Sequence, residues 1–251
     1  ELTCADEDDP CRLPNAFLSD PPLQQVVSRS IQVGVRGALS AMRWHVGAFR
    51  TTNRDDIIFI SADALTNEGY FDNVGRTRRQ GIELNFAGSL LEEKLSWFAN
   101  YTALAATFQN EFPVASANNP QSIDDEIAVE AGDRIPGVPK HLLKLGIDYS
   151  PAPRWSVGAD LSHASSQCLR GDEANLTPPL DGYSILNLRA SFAANAWLSV
   201  FAAMNNALDH DYETFGVFGE ADEVLGDDYD DPRFLSPGAP RTVWIGVKLS
   251  L

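Results

Sequence analysis

Polar and apolar residues alternate along this chain with a period of two, in one stretch after another. In HLLKLGIDY (141–149), Leu143, Leu145, Ile147 and Tyr149 share one parity, and Leu142, Lys144, Gly146 and Asp148 share the other. In RWSVGADLSH (154–163), Trp155, Val157, Ala159 and Leu161 oppose Ser156, Gly158, Asp160 and Ser162. The end of the chain, TVWIGVKLSL, sets Val243, Ile245, Val247, Leu249 and Leu251 against Thr242, Trp244, Gly246, Lys248 and Ser250. Successive side chains of a strand point to opposite faces, so this pattern reads as strands with one face in an apolar medium and one in a polar medium. Helical periodicity is nearly absent. The chain is therefore expected to be all-β.

Nine strands are expected, at about 24–37, 41–62, 73–89, 94–108, 138–150, 154–167, 182–193, 196–206 and 239–251. The segment 41–62 divides near Asn53–Asp56 in one reading, but one long strand is preferred, since no Pro interrupts it and no Gly stands near that point. The connections alternate in length. Short ones lie near 37–40, 90–93, 151–153 and 194–195, and long ones span about 63–72, 109–137, 168–181 and 207–238. Short turns on one side and long loops on the other are the pattern of an antiparallel transmembrane β-barrel, and a soluble sandwich has no reason to keep it. No window of 18 consecutive apolar residues exists, but a transmembrane strand needs only about 9–11 residues with alternate ones apolar. Trp44, Trp97, Tyr101, Tyr149, Trp155, Tyr183 and Trp197 fall near strand ends or on outward parities, as interfacial aromatic girdles do. A net charge of −16 argues against nucleic acid as a partner.

Nine is an odd number, and single-chain bacterial barrels have even counts with both termini in the periplasm. Following the alternation, residue 1 lies outside the cell and Leu251 in the periplasm. Open sheet edges are not tolerated in lipid. The expectation is one partial barrel domain over 1–251, the C-terminal portion of a larger barrel, with 1–23 an outer loop and 24–251 the strands and their connections. Cys4 and Cys11 sit seven positions apart in that acidic, Pro-containing loop. They read as a small surface disulfide in an oxidising compartment. Two thiols without a nearby His make a poor zinc site, and two free thiols are the plain alternative. Cys168 is left over.

Four segments carry a family resemblance, in order along the chain: NVGRTRRQGIEL (73–84), GDRIPGVPKHLLKLGIDY (132–149), MNNALDHDYETFG (204–216) and PGAPRTVWIGVKLSL (237–251). Together they resemble the barrel of TonB-dependent outer-membrane receptors. The resemblance implies a 22-stranded barrel closed by an N-terminal plug. It also implies uptake of a scarce ligand, with ferric siderophores the default class, energised by TonB through a box and plug that these residues do not include. The ending Gly246-x-x-Leu249-x-Leu251 keeps the apolar spacing by which the barrel-assembly machinery would recognise a last strand, but lacks the family's terminal aromatic.

Several residues invite a site reading. Lys144, Asp148, Ser156 and Asp160 share the polar parity and are expected to line the lumen. Arg76, Arg78 and Arg79, at the start of a strand, are candidates for contact with an anionic ligand through bidentate bonds; contact with plug carboxylates or lipid phosphate is the alternative. The loop GEADEVLGDDYDDPR (219–233) concentrates oxygen ligands, and Asp227, Asp228, Asp230 and Asp231 are weak calcium candidates without EF-hand spacing; a solvated acidic loop is the plain reading. His45, His141, His163 and His210 form no close pair, and no Gly-x-Ser-x-Gly elbow is present. No enzyme activity and no cofactor are expected. A passive porin-like or structural barrel is the competing class.

Overall fold

The computed structural model describes residues 22–61, 69–219 and 231–249. Its strands are β1 (Val27–Leu39), β2 (Met42–Arg54), β3 (Ile57–Ser61), β4 (Gly69–Asn73), β5 (Thr77–Leu90), β6 (Leu95–Phe108), β7 (Phe112–Ala115), β8 (Glu126–Val129), β9 (His141–Ala152), β10 (Trp155–Ala164), β11 (Tyr183–Ala193), β12 (Leu198–Asn205), β13 (Glu213–Phe218), β14 (Arg233–Pro237) and β15 (Thr242–Leu249). Nine of them form one antiparallel sheet in the order β1-β2-β5-β6-β9-β10-β11-β12-β15. The other six make three small hairpins, β3/β4, β7/β8 and β13/β14, inside the long connections. Among the described residues the sheet is open, with β1 and β15 at its edges.

One expected strand is divided. Residues 41–62 are two elements, because Asp55 takes a left-handed φ of 54° and turns the chain out of the sheet. Asp tolerates this conformation better than most residues, so no Gly was needed. The Asn73 side-chain amide donates to the Asp55 carbonyl at 2.6 Å, and the chain beyond it leaves to pair with β4. At the opposite end the turn after β5 places Leu91, Glu92 and Glu93 at φ of 53°, 56° and 68°, again without Gly.

Residues paired across an antiparallel ladder share a face, so the registers divide the sheet cleanly. One face carries Ile31, Val33, Val35, Val46, Ile82, Leu84, Leu145, Ile147, Val157, Leu188, Val200 and Ile245. Many of these are open; Ile31 is 68% exposed and Ile245 79%. In water, burial of such a face is worth roughly 25 cal/mol per Å2, so a surface of this kind needs an apolar medium. At its short-turn end lie Trp44, Trp97, Tyr149 and Trp155, the last with its ring centroid 4.5 Å from that of Phe192. Tyr183 is on the other face, at the long-loop end, 4.6 Å from the ring of Tyr212.

The buried core gathers at the long-loop end of the sheet. Phe108, Val114, Ile127 and Val129 pack with Val74 and Ala174 where β5 and β6 meet the β7/β8 hairpin. A second, smaller cluster joins Leu169, Leu180 and Phe218. The hydrophobic effect is used to fasten the long connections to one end of the sheet, while the sheet's own apolar face is left outward.

Candidate functional site

The polar face of the sheet and the cap of long connections at its end form the candidate site. Lys144, Asp148, Ser156 and Asp160 all project from this face. Asp148 pairs with Gly158, which pairs in turn with Arg189. Arg189 lies across that glycine: its Nε and Nη2 donate to both Asp148 oxygens at 2.9 and 2.7 Å, and its Nη1 to Asp160 at 2.7 Å. A Cβ on Gly158 would stand 2.6 Å from the Arg189 Nε, so this guanidinium position requires glycine beneath it. The Asn187 amide donates to the other Asp160 oxygen at 2.8 Å and its carbonyl oxygen accepts from the Asn206 backbone N–H at 3.0 Å. A continuous polar ladder thus runs from mid-sheet to the loop end. Arg189 was legible in principle, since it has the same parity in its strand as Asp160 in the next. Two aromatic rings share this face beside the ladder, and each lies over a glycine: Phe98 over Gly146 and Phe201 over Gly246.

The three arginines near the start of β5 go separate ways. Arg79 points to the polar face and donates to Asp56 at 3.1 Å. Asp56 also accepts from the Thr77 hydroxyl and from the Asn53 amide. Burial pushes this carboxyl up, but the bonds from Thr77, Asn53 and Arg79 outweigh it and hold its pKa below the usual value. Arg78 points to the opposite, apolar-side face, and its Nε is buried without a hydrogen-bond partner. Arg76 precedes the strand and is exposed; its backbone N–H donates to Asn110 at 3.3 Å. The three thus face different surroundings.

The motif-bearing segments tie the loops to the strand ends. Asn206, 2% exposed, donates to the His210 and Ala239 carbonyls at 2.9 and 3.2 Å and accepts from the His210 N–H at 3.0 Å. Asp209 accepts from Arg241 at 2.8 Å, and Gly238 packs against the Tyr212 ring. In the second segment the Arg134 guanidinium reaches the Val138 and Ser166 carbonyls, and its backbone bonds both ways with the Asn175 amide.

Between these ties, Asp172 is 1% exposed. It organises the 168–181 connection by accepting from the Leu176 and Thr177 N–H groups, the Thr177 hydroxyl and the Asn119 amide. Ser116 and Asn119 donate to the Gly171 carbonyl, joining this connection to the 109–137 one. A cavity of about 250 Å3 remains among Phe108, Ile135, Gly137, Arg170, Glu173 and Phe215. Burial pushes the Glu173 carboxyl up, against a bond from the Gly171 N–H at 3.2 Å. Burial likewise pushes up the Cys168 thiol, which is unbridged.

Among the described residues no three His, Cys, Asp or Glu side chains are grouped to hold a metal ion. Asp227, Asp228 and Asp230 lie outside the described residues, as do Cys4, Cys11 and Leu251. Asp231 is engaged by the Arg233 guanidinium at 2.7 and 2.9 Å. In β15, Gly246 lies under Phe201 and Leu249 pairs with Leu198.

Comparison with known proteins gives these features a context. The metal-pseudopaline receptor CntO of Pseudomonas aeruginosa is 30% identical over 189 residues, which is 74% of this chain and 22% of that receptor. The chain thus spans about a fifth of the length of this curated relative. Among solved structures, the ferric-catecholate import receptor Fiu from E. coli K12 superposes with a TM-score of 0.65 at 20% identity, over 94% of this chain and 30% of that one. The ferric yersiniabactin uptake receptor FyuA from Yersinia pestis matches with a TM-score of 0.65 at 15% identity, over 89% and 30%. These likenesses show the fold. Residues 10–207 match the family described as TonB dependent receptor-like, beta-barrel, whose barrels are outer-membrane proteins. The odd-numbered, alternately connected sheet is part of such a barrel, and the chain belongs to the TonB-dependent receptor β-barrel family.

Proposed function

We propose that this segment forms part of the wall and outer mouth of a receptor for TonB-energised uptake of a metal-bearing small molecule, with a ferric siderophore the first candidate. The observation that carries this reading is the cap. Two long connections, 109–137 and 168–181, are bound to one another through Asp172, Asn119, Arg134 and Asn175, a third, 207–238, joins them through backbone bonds of Arg170 with Gly216 and Phe218, and Asp56 and Asn206 tie loops to the strand ends. Such a fixed mouth suits recognition, because preorganised groups lose little entropy when a ligand binds. The names of the similar receptors all specify a metal or a ferric complex.

In this reading the cap faces outward, the short turns and the C-terminus face the periplasm, and the Arg189 ladder with Lys144 and Ser156 lines the lumen. Cys4 and Cys11 staple an outer loop. TonB acts on the intact receptor through its plug, and the chain performs no catalysis. The test is transport by the full-length receptor. A strain lacking the gene is supplied with radioactive iron as a panel of ferric siderophores, with and without TonB. TonB-dependent accumulation that returns with the gene supports the reading. Accumulation that is equal without TonB, or steady ion conductance by the purified receptor, would instead establish a passive pore.

A further inference from the structure

The charge of the chain is concentrated in its long connections. Residues 109–137, 168–181 and 207–238 hold 19 of the 35 acidic residues and 3 of the 19 basic ones, a net charge of −16. The rest of the chain holds 16 of each and is neutral as a whole. In the orientation proposed above, the net charge of the chain therefore stands at the outer mouth. Like charges gathered within a few Debye lengths, about 8 Å each in physiological salt, add to one field. Such a field repels an anionic complex on approach and draws in a cationic one.

The cavity of about 250 Å3 in the cap holds a carboxyl suited to such a cation. Glu173, 7% exposed, is part of its lining. One Glu173 oxygen accepts from the Gly171 N–H at 3.2 Å, and no side chain among the described residues donates to either oxygen. Asp172, one residue earlier, is the contrast, since four donors satisfy it. Arg170 lines the same cavity but is not free; it and Asp172 act on the Glu173 carboxyl in opposite senses. Much of the remaining wall is apolar, with Ile58, Phe108, Ile135 and Phe215. The Phe108 ring is fixed by an edge contact with Phe112, their centroids 5.2 Å apart. Arg170 and Phe215 are exposed, so the cavity opens at the surface. Among the described residues no acids, His or Cys are grouped in threes to hold a bare metal ion. One buried carboxyl between phenyl rings fits an organic ammonium instead, because aromatic faces attract cations.

We propose that Glu173, with Phe108 and Phe215, binds the protonated amine of a ligand arm, and that the cargo of this receptor is a metal complex carrying such an ammonium group. This rests on the receptor reading above and deepens it. The volume fits an arm. About 250 Å3 is the space of roughly eight waters at about 30 Å3 each, and it lies below the ~300–1,000 Å3 of sites that enclose a whole small molecule. An aminoalkyl chain enters the cap while the metal-bearing body stays in the mouth. The ammonium acts twice. Paired with Glu173, it offsets the cost of burying that carboxylate, which by itself pushes the carboxyl pKa up. In the field of the mouth, it raises the rate of encounter.

The test uses the full-length receptor purified in detergent, with binding read by titration calorimetry. The probes are a linear ferric trihydroxamate with a free primary amine, the same complex N-acetylated, and an anionic ferric tris-catecholate. The amine form should bind about thirtyfold more tightly than the acetylated form, as a charge-assisted hydrogen bond to a buried group implies. E173Q should bind the two forms alike. E92Q, which removes an acid at the short-turn end, should keep the preference. In stopped-flow tryptophan fluorescence, added salt should slow association of the amine form more than that of the acetylated form. A heat-shifted gel band shows that each variant is folded; if E173Q lacks it, the matched pair of complexes on the wild-type receptor decides alone. Equal affinity for the two forms, a preference that survives in folded E173Q, tighter binding of the catecholate, or no binding of the amine form at millimolar concentration overturns the proposal. The receptor reading is judged apart, by iron accumulation in cells. TonB-dependent accumulation from the catecholate but not from the amine form sinks this proposal alone, whereas accumulation that is equal without TonB sinks the receptor reading.

Discussion

Replacing Asn206 tests whether the motif around it is a structural fastener. Its side chain makes three hydrogen bonds at 2% exposure, and its own φ of 48° is left-handed. In Asn206→Ala the His210 N–H and the His210 and Ala239 carbonyls lose their partner. A net hydrogen bond is worth about 1 kcal/mol, and a buried group left unpaired costs about 1–3 kcal/mol. Because Ala239 lies in an exposed strand-end loop where water can replace the lost donor, the estimate is about 2 kcal/mol for the bonds, with a further ~1 kcal/mol for placing Ala in the left-handed region. The sum of about 3 kcal/mol corresponds to roughly a 150-fold change in a local opening equilibrium. The assay is hydrogen exchange of the full-length receptor, followed at the His210 and Gly238 amides. Both should exchange about two orders of magnitude faster in the variant, while amides in β9 and β10 keep their rates. Asn206→Gly relieves the backbone cost but not the bonds, and should recover about fivefold. If exchange at His210 stays within about threefold of wild type in both variants, the network does not hold this end of the sheet and the reasoning fails.

Three further outcomes are expected. Asp56 has a lowered pKa in the folded protein, so its stabilising bonds to Thr77 and Arg79 are present above the ordinary Asp value of about 3.9 and are lost as pH falls through the lower, folded value. Asp56→Asn should therefore speed exchange in residues 69–79 by about tenfold near pH 7, and the difference from wild type should shrink as pH falls below the ordinary Asp value and through the lowered one. Glu173 has the opposite sign: its raised pKa favours the protonated form, so its contribution is complete below the ordinary Glu value of about 4.3 and fades as pH rises through the folded value. Glu173→Gln should slow exchange of the Gly171 amide near neutral pH and leave it unchanged at about pH 4. Gly146→Ala drives a Cβ into the Phe98 ring, and overpacking of this kind costs about 1–3 kcal/mol; the variant should show a lower heat-shift temperature on gels, and the double variant with Phe98→Leu should restore it.

What the sequence alone determined is what depends on parity and spacing. A period of two needs only neighbouring residues to be visible, so Leu143, Leu145 and Ile147 declared one face and Lys144 and Asp148 the other, and the structure keeps them there. The alternation of short and long connections was equally local, and with the four motif segments it led to the barrel and its family. What required the tertiary structure was everything set by partners distant in the chain. Residues 41–62 lack a breaker, yet Asp55 and Asp56 turn the strand because Asn73, Thr77 and Arg79 are waiting to bond them. Arg76, Arg78 and Arg79 look like one cluster in a string of letters, but strand geometry sends Arg78 and Arg79 to opposite faces. Arg78 instead finds its company in Arg29 and Arg50, which lie far from it in sequence. The motif residues, conspicuous by pattern, owe their positions to loop carbonyls tens of residues away. Local alternation decides which medium a side chain meets, and only the register of distant strands decides which side chains meet each other.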